Sequence, residues 1–87
     1  MCTNIIEKAP ISGSGKGTGG WFTLTEAYVS FDHPFHAPVE HALNIDFVNP
    51  AQGPGARVAV ELTRESALGL VEAIQAALAR GEGAERA

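Results

Sequence analysis

Apolar and polar residues alternate along three segments of the chain, and this period of two predicts β-strands. The strongest segment covers residues 21–31 and is dense in aromatic, Thr and Val residues. Residues 42–49 and 56–62 alternate in the same way and are separated by a Pro- and Gly-containing turn at 50–55. The positions expected to face inward on these two segments are Leu43, Ile45, Phe47, Val58, Val60 and Leu62.

The N-terminal part of the chain predicts one further strand and then a flexible connection. Residues 2–9 are rich in Thr, Ile and Asn and end at Pro10, which favours a first strand. Residues 11–20 hold five glycines and two serines. Because glycine loses the most backbone entropy when it is ordered, we expect this segment to be a hairpin connection, not the interior of an element.

The C-terminal part changes to helical periodicity. Thr63 is a suitable N-cap, and Leu70, Val71, Ile74 and Leu78 recur at the spacing of one helix face. Gly81 predicts the end of the helix. The expected organisation is one domain over residues 1–81, followed by a frayed tail at 82–87.

Together these elements predict an α+β fold, with a four-stranded antiparallel, meander-like sheet and one C-terminal amphipathic helix packed on one face. One helix covers only one face of a sheet. Phe22, Leu24 and Tyr28 share the other face of the second strand, so we expect a homodimer to cover them.

Composition excludes several classes of function. The chain has 87 residues, a net charge of −4 and six Lys and Arg residues, with no basic stripe for nucleic acid or for a membrane surface. No apolar run reaches the about 18 residues of a membrane span, and no signal peptide begins the sequence. A single cysteine rules out an internal disulfide. A cytoplasmic protein is the expectation.

The string Gly-Ser-Gly-Lys-Gly-Thr at residues 13–18 resembles the phosphate-binding loop of adenylate kinases. Such a loop binds phosphate because it joins a buried strand to the N-terminus of a helix. Here Gly19, Gly20 and a strand-like segment follow, so no helix begins at the loop. We therefore expect no nucleotide site; Lys16 and the loop amides could still hold an anion or cover a pocket.

The most concentrated chemical signal is a histidine cluster. His33, His36 and His41 lie within nine residues at the spacing H-x2-H-x4-H, next to Asp32 and Glu40. Imidazole and carboxylate groups together suit divalent transition metals such as zinc, iron, copper or nickel. Three protein ligands and one open position are typical of a catalytic zinc site. In an extended segment His33 and His41 share a face, so a turn is needed to bring His36 to them.

Three functions stay open at this stage. The first is a metal-binding protein or a metal-dependent enzyme, with the three histidines as ligands and Glu40 or Cys2 as catalytic group. The second is a metal-free enzyme or binder of a small molecule, whose pocket lies between the sheet and the histidine segment and uses His36 or Cys2. The third is a non-catalytic dimeric interaction domain, in which the histidines only order the loop.

The opening Met-Cys-Thr-Asn-Ile-Ile-Glu-Lys-Ala-Pro-Ile, the glycine segment and the block at residues 32–47 together resemble a family of small bacterial proteins known only as a domain of unknown function. The resemblance spans nearly the whole chain. It implies one stand-alone domain and brings no activity and no functional residues with it.

Overall fold

The computed structural model describes residues 5–86 and shows one antiparallel sheet followed by a helix. The strands are β1 (Ile5–Gly17), β2 (Gly20–Asp32), β3 (Ala42–Val48) and β4 (Arg57–Leu62), and the helix is α1 (Arg64–Arg86). The strands lie side by side in chain order. The predicted α+β fold with a meander and a C-terminal helix is confirmed.

The register of the strands gives the sheet one apolar and one polar face. The apolar face carries Val29, Phe31, Leu43, Ile45, Phe47, Val58, Val60 and Leu62, which oppose one another across the strands. The polar face carries Lys8, Glu26, Tyr28, Ser30, Asn44, Asp46, Arg57 and Glu61. The predicted alternation on β3 and β4 therefore sorts their side chains between the two faces.

The glycine segment is part of a strand, so its prediction as a flexible connection is wrong. β1 continues through it to Gly17, and residues 18 and 19 form the turn to β2. An irregularity between Pro10 and Gly13 shifts the register. A Cβ at Gly15 would lie 3.1 Å from Cδ1 of Leu24 and 3.3 Å from Cγ2 of Val58. A side chain here would crowd both neighbours, which would have to move by a few tenths of an ångström to admit it.

The helix begins as the sequence predicts but ends later. The hydroxyl oxygen of Thr63 accepts a hydrogen bond from the backbone N–H of Ser66 at 3.2 Å, which confirms the N-cap. The helix then runs through Gly81 and Gly83, so the predicted stop at Gly81 is wrong. The positive φ angles found among the described glycines belong to Gly20 and Gly53. Gly81 thus does not adopt the left-handed conformation that ends many helices.

Little of the described chain is fully buried. The buried apolar residues among positions 5–86 are Leu24, Ala27 and Ala42, and none of the large side chains there is completely enclosed. Leu24, which the sequence assigned to a face needing a partner, is covered by its own chain. Within the same residues, no helix has both the length and the apolar character that crossing a membrane requires.

Candidate functional site

The histidine loop, residues 33–41, connects β2 to β3 and is held by a carboxylate of β4. The Glu61 side chain accepts hydrogen bonds from the backbone N–H groups of Phe35 (2.5 Å), His36 (3.1 Å) and Ala37 (2.8 Å). Hydrogen bonds to an ionised acceptor are roughly twice as strong as neutral ones. The loop is thus fastened across the sheet to a strand that it does not join.

These hydrogen bonds also change the protonation of Glu61. The N–H of Ala37, with those of Phe35 and His36, lowers the pKa of the Glu61 carboxyl from its ordinary value, and partial burial opposes the shift. A lowered pKa means that the carboxylate stabilises the folded state fully above the ordinary glutamate pKa of about 4.3. This contribution is lost as the pH falls through the lower, folded-state pKa.

The structure brings two of the three histidines together. The rings of His33 and His41 stack with centroids 5.3 Å apart, and the His41 ring stacks in turn on Phe31 at 5.7 Å. The backbone N–H of His33 also donates to Oδ1 of Asp32 at 2.7 Å. His36 takes no part in this stack, and its backbone N–H is one of the donors to Glu61.

The predicted metal site and catalytic groups stay predictions. Among residues 5–86, no group of three or more His, Cys, Asp or Glu side chains is arranged so that it could hold a metal ion. Glu40 lies exposed on the histidine loop. Cys2 lies outside the described residues, so its distance from the histidine loop is not defined.

A polar cleft lies between the histidine loop and the polar face of the sheet. Its volume is about 410 Å³, which is within the range of small-molecule sites. Residues from three strands and the loop line it, among them Ser30, Asp32, His33, Pro34, Phe35, Asn44, Asp46, Arg57, Ala59 and Glu61. Glu61 therefore anchors the loop that forms one wall of the cleft.

Asn44 is the central polar residue of the cleft, because Ser30 and Glu61 oppose it on the two neighbouring strands. Its Nδ2 group donates a long hydrogen bond to the backbone oxygen of Asp32 at 3.4 Å. Its Oδ1 atom is buried and accepts no hydrogen bond from the residues that the structure describes. Most buried acceptors in proteins are paired, so this atom is a point of unused hydrogen-bonding capacity.

Two ion pairs order the rest of the polar face. The Arg57 guanidinium donates to Oδ1 of Asp46 through Nε at 2.7 Å and Nη2 at 2.6 Å. Lys8 contacts Glu26 at 2.7 Å and lies 5.6 Å from the centre of the Tyr28 ring. The hydrogen bond and charge of Glu26 raise the pKa of Lys8 above its ordinary value. The Glu26 carboxylate is half-buried and needs an opposite charge nearby. Lys8 supplies this charge.

Sequence reasoning missed the residues that build the cleft floor. The sequence indicates no role for Asn44, Asp46, Arg57 and Glu61, which alternate with the inward-facing positions of their strands. Their spacing is the signal that could have found them. Asn44 and Asp46 are two residues apart on one strand, and Arg57 and Glu61 are four apart on the next, so all four side chains lie on the same face.

Fold and site together define a small α+β domain whose antiparallel sheet carries a polar cleft of ligand size on one face. The chain belongs to a family of unknown function (DUF6295), whose sequence model matches residues 1–87. The resemblance to an uncharacterised family, predicted from the sequence, is thereby confirmed. Comparison with curated proteins gives no match. Comparison with solved structures gives none either.

Proposed function

We propose that the protein binds, in the polar cleft, a small molecule that carries a primary ammonium group. The observation that carries the proposal is Oδ1 of Asn44, a buried acceptor without a donor among the described residues. No described residue satisfies this enclosed acceptor in the free protein, and an N–H group of a ligand that reaches it would satisfy it in the complex. An N–H donor on the ligand is therefore the first requirement of the site.

The charges around the cleft favour a cation over an anion. Asp32, Asp46 and Glu61 line the cleft together with one guanidinium, that of Arg57. Arg57 is paired with Asp46, and the backbone N–H groups that bind Glu61 leave its negative charge in place. The net negative charge of the lining attracts an ammonium group and repels a carboxylate or phosphate.

The histidine loop adds an apolar surface beside this charge. Phe35 is 97% exposed and lies with Pro34 in the wall of the cleft. An aromatic ring in this position can contact the apolar part of a ligand or the face of a cation. A short molecule with one ammonium group and one apolar end thus matches both halves of the cleft.

Titration of the protein with benzylamine, followed by amide chemical shifts, tests the proposal. We expect saturable shifts at residues of the cleft, and no binding of benzoate, which has the same ring but the opposite charge. Asn44→Leu is expected to weaken benzylamine binding roughly 10- to 150-fold, since a hydrogen bond to a charged group contributes about 1.5–3 kcal/mol. Gln52→Leu, which removes an exposed amide outside the cleft, is the control.

Equal affinities of the parent protein and Asn44→Leu for benzylamine would contradict the proposal. Equal binding of benzoate would contradict its electrostatic part. Both results are interpretable because far-UV circular dichroism of the same samples reports whether the variant is folded.

The metal hypothesis, with His33, His36 and His41 as ligands, is decided on the same sample. Elemental analysis of untagged protein is compared with that of a His33→Ala/His36→Ala double variant. Near-stoichiometric metal in the parent, and its loss in the variant, would favour the metal site. We expect instead that chelator leaves benzylamine binding unchanged.

A further inference from the structure

The chain exposes more surface than a compact monomer of its mass. Its accessible surface is 6562 Å². Scaling of surface with mass gives about 4,900 Å² for a monomeric protein of this size, so the excess is about 1,700 Å². The Cα radius of gyration is 14.8 Å, against about 12 Å for a compact domain of the same length. The chain is therefore an open structure.

Half of the ten exposed large apolar side chains among the described residues lie on α1. Five large apolar side chains of the helix are between 43% and 69% exposed: Leu68, Leu70, Val71, Ile74 and Leu78. An open groove of about 360 Å³ separates α1 from the apolar face, and apolar side chains of both line it. From here on, the term apolar groove covers both this open groove and the exposed apolar stripe of α1.

The connection to β4 explains why α1 does not close the groove by itself. Thr63 alone separates the strand from the helix, and its cap fixes the direction in which the helix leaves. Ala67 in the first turn is half-buried, whereas the residues from Leu68 to Arg80 are exposed. With 23 residues, the helix is about 34 Å long. Most of that length lies beyond the contact with the sheet.

We infer that a second copy of this chain occupies the apolar groove, with its α1 antiparallel to the first in a two-fold symmetric dimer. A standard interface buries about 800 Å² on each partner. The excess surface of one chain, part of which lies on the exposed strand β1, is about twice that area, so it leaves room for an interface of standard size. A two-fold dimer uses the same patch on both copies, and the apolar groove supplies both a helix to insert and a surface to receive it.

Two charged residues at the ends of the apolar stripe favour the antiparallel arrangement. Arg64, Val71, Leu78 and Glu85 are spaced seven residues apart, so the two charged residues lie at opposite ends of the apolar stripe. Antiparallel packing places Arg64 of one copy near Glu85 of the other. Parallel packing would instead bring like charges together at each end.

Sedimentation equilibrium of the full chain between 1 and 100 μM tests this inference. We expect twice the chain mass of 9.1 kDa. Leu78→Glu places a charge in the stripe and is expected to weaken dimerisation at least 100-fold. Ala76→Glu adds the same charge on the opposite side of the helix and is expected to leave the dimer intact.

A variant that separates the two copies can also unfold the single chain. The second test therefore exchanges the charges of Arg64 and Glu85, because recovery of the dimer shows that the variant is folded. Arg64→Glu is expected to weaken the dimer, and the double variant Arg64→Glu/Glu85→Arg to restore it. A parent protein that stays at 9.1 kDa up to 100 μM, or a Leu78→Glu variant as dimeric as the parent, would overturn the inference. A double variant as weak as Arg64→Glu would overturn the antiparallel arrangement.

The inference does not depend on ligand binding. The apolar groove and the polar cleft lie on opposite faces of the sheet, so a dimer of this kind leaves both clefts open. Loss of benzylamine binding and loss of the dimer are therefore separate results.

Discussion

Asn44, which is half-buried in β3, and Asn49, which is buried just after β3, have opposite hydrogen-bonding situations, and replacing each by leucine is expected to change stability in opposite directions. Asn49 uses both ends of its amide: Nδ2 donates to the backbone oxygen of Thr23 at 3.1 Å, and Oδ1 accepts from the backbone N–H of Ala51 at 3.2 Å. Asn44 has only the 3.4 Å bond from Nδ2, and its Oδ1 is buried without a protein donor.

The magnitudes follow from these contacts. A buried polar group without a partner costs about 1–3 kcal/mol, whereas a typical hydrogen bond contributes about 1 kcal/mol. Asn44→Leu removes an unpaired acceptor and one long hydrogen bond, so the free energy of unfolding is expected to rise by about 1 kcal/mol. Asn49→Leu removes two good bonds and is expected to lower it by about 2 kcal/mol. In a domain of this size 1 kcal/mol corresponds to about 4–8 °C in Tm.

Urea unfolding followed by far-UV circular dichroism measures both effects. The protein concentration has to be the same for all variants, because self-association makes the apparent stability depend on it. If Asn44→Leu lowers stability as much as Asn49→Leu does, Oδ1 of Asn44 is well satisfied in the free protein. The reasoning that makes it the recognition atom of the polar cleft would then be refuted.

Three further predictions concern the loop anchor, the glycine strand and the helix start. Glu61→Gln is expected to lower the amide-exchange protection factors of the histidine loop at neutral pH; the parent should lose the same protection only in acid, below the ordinary pKa of glutamate, and equal protection in the parent and the variant at neutral pH would contradict this. Gly15→Ala is expected to destabilise by about 1–3 kcal/mol in thermal melts because of crowding, whereas Gly13→Ala, which meets nothing within 4 Å, should change little. Thr63→Ala is expected to cost about 1 kcal/mol in urea unfolding, and an unchanged midpoint would argue against the cap.

Local patterns were sufficient to predict most of the fold. Alternation on β2, β3 and β4 and the cap at Thr63 depend on neighbours in the sequence, and both predictions are confirmed. The extent of β1 could not be predicted in this way. Gly15 belongs to a strand because it pairs with Phe22 of β2, and its lack of a side chain leaves room for Leu24 and Val58.

The candidate site was predicted only in part, for a related reason. The even spacing of His33 and His41 indicated that these two share a side, and their rings stack. The anchor of their loop is Glu61, 20 residues beyond His41, and nothing in the local sequence distinguishes it from a solvated carboxylate. Asn44 likewise becomes a candidate only when the pairing of three strands shows what surrounds it.

The alternation along β4 limits how the length of this chain can vary among members of the family. Glu61 holds the histidine loop on one face, while its neighbours Val60 and Leu62 lie on the other. One residue inserted or deleted inside β4 would exchange the two sets of side chains beyond that point. We therefore expect insertions and deletions among relatives to collect in the connections between strands and at the end of α1, while residues 57–62 keep a constant length.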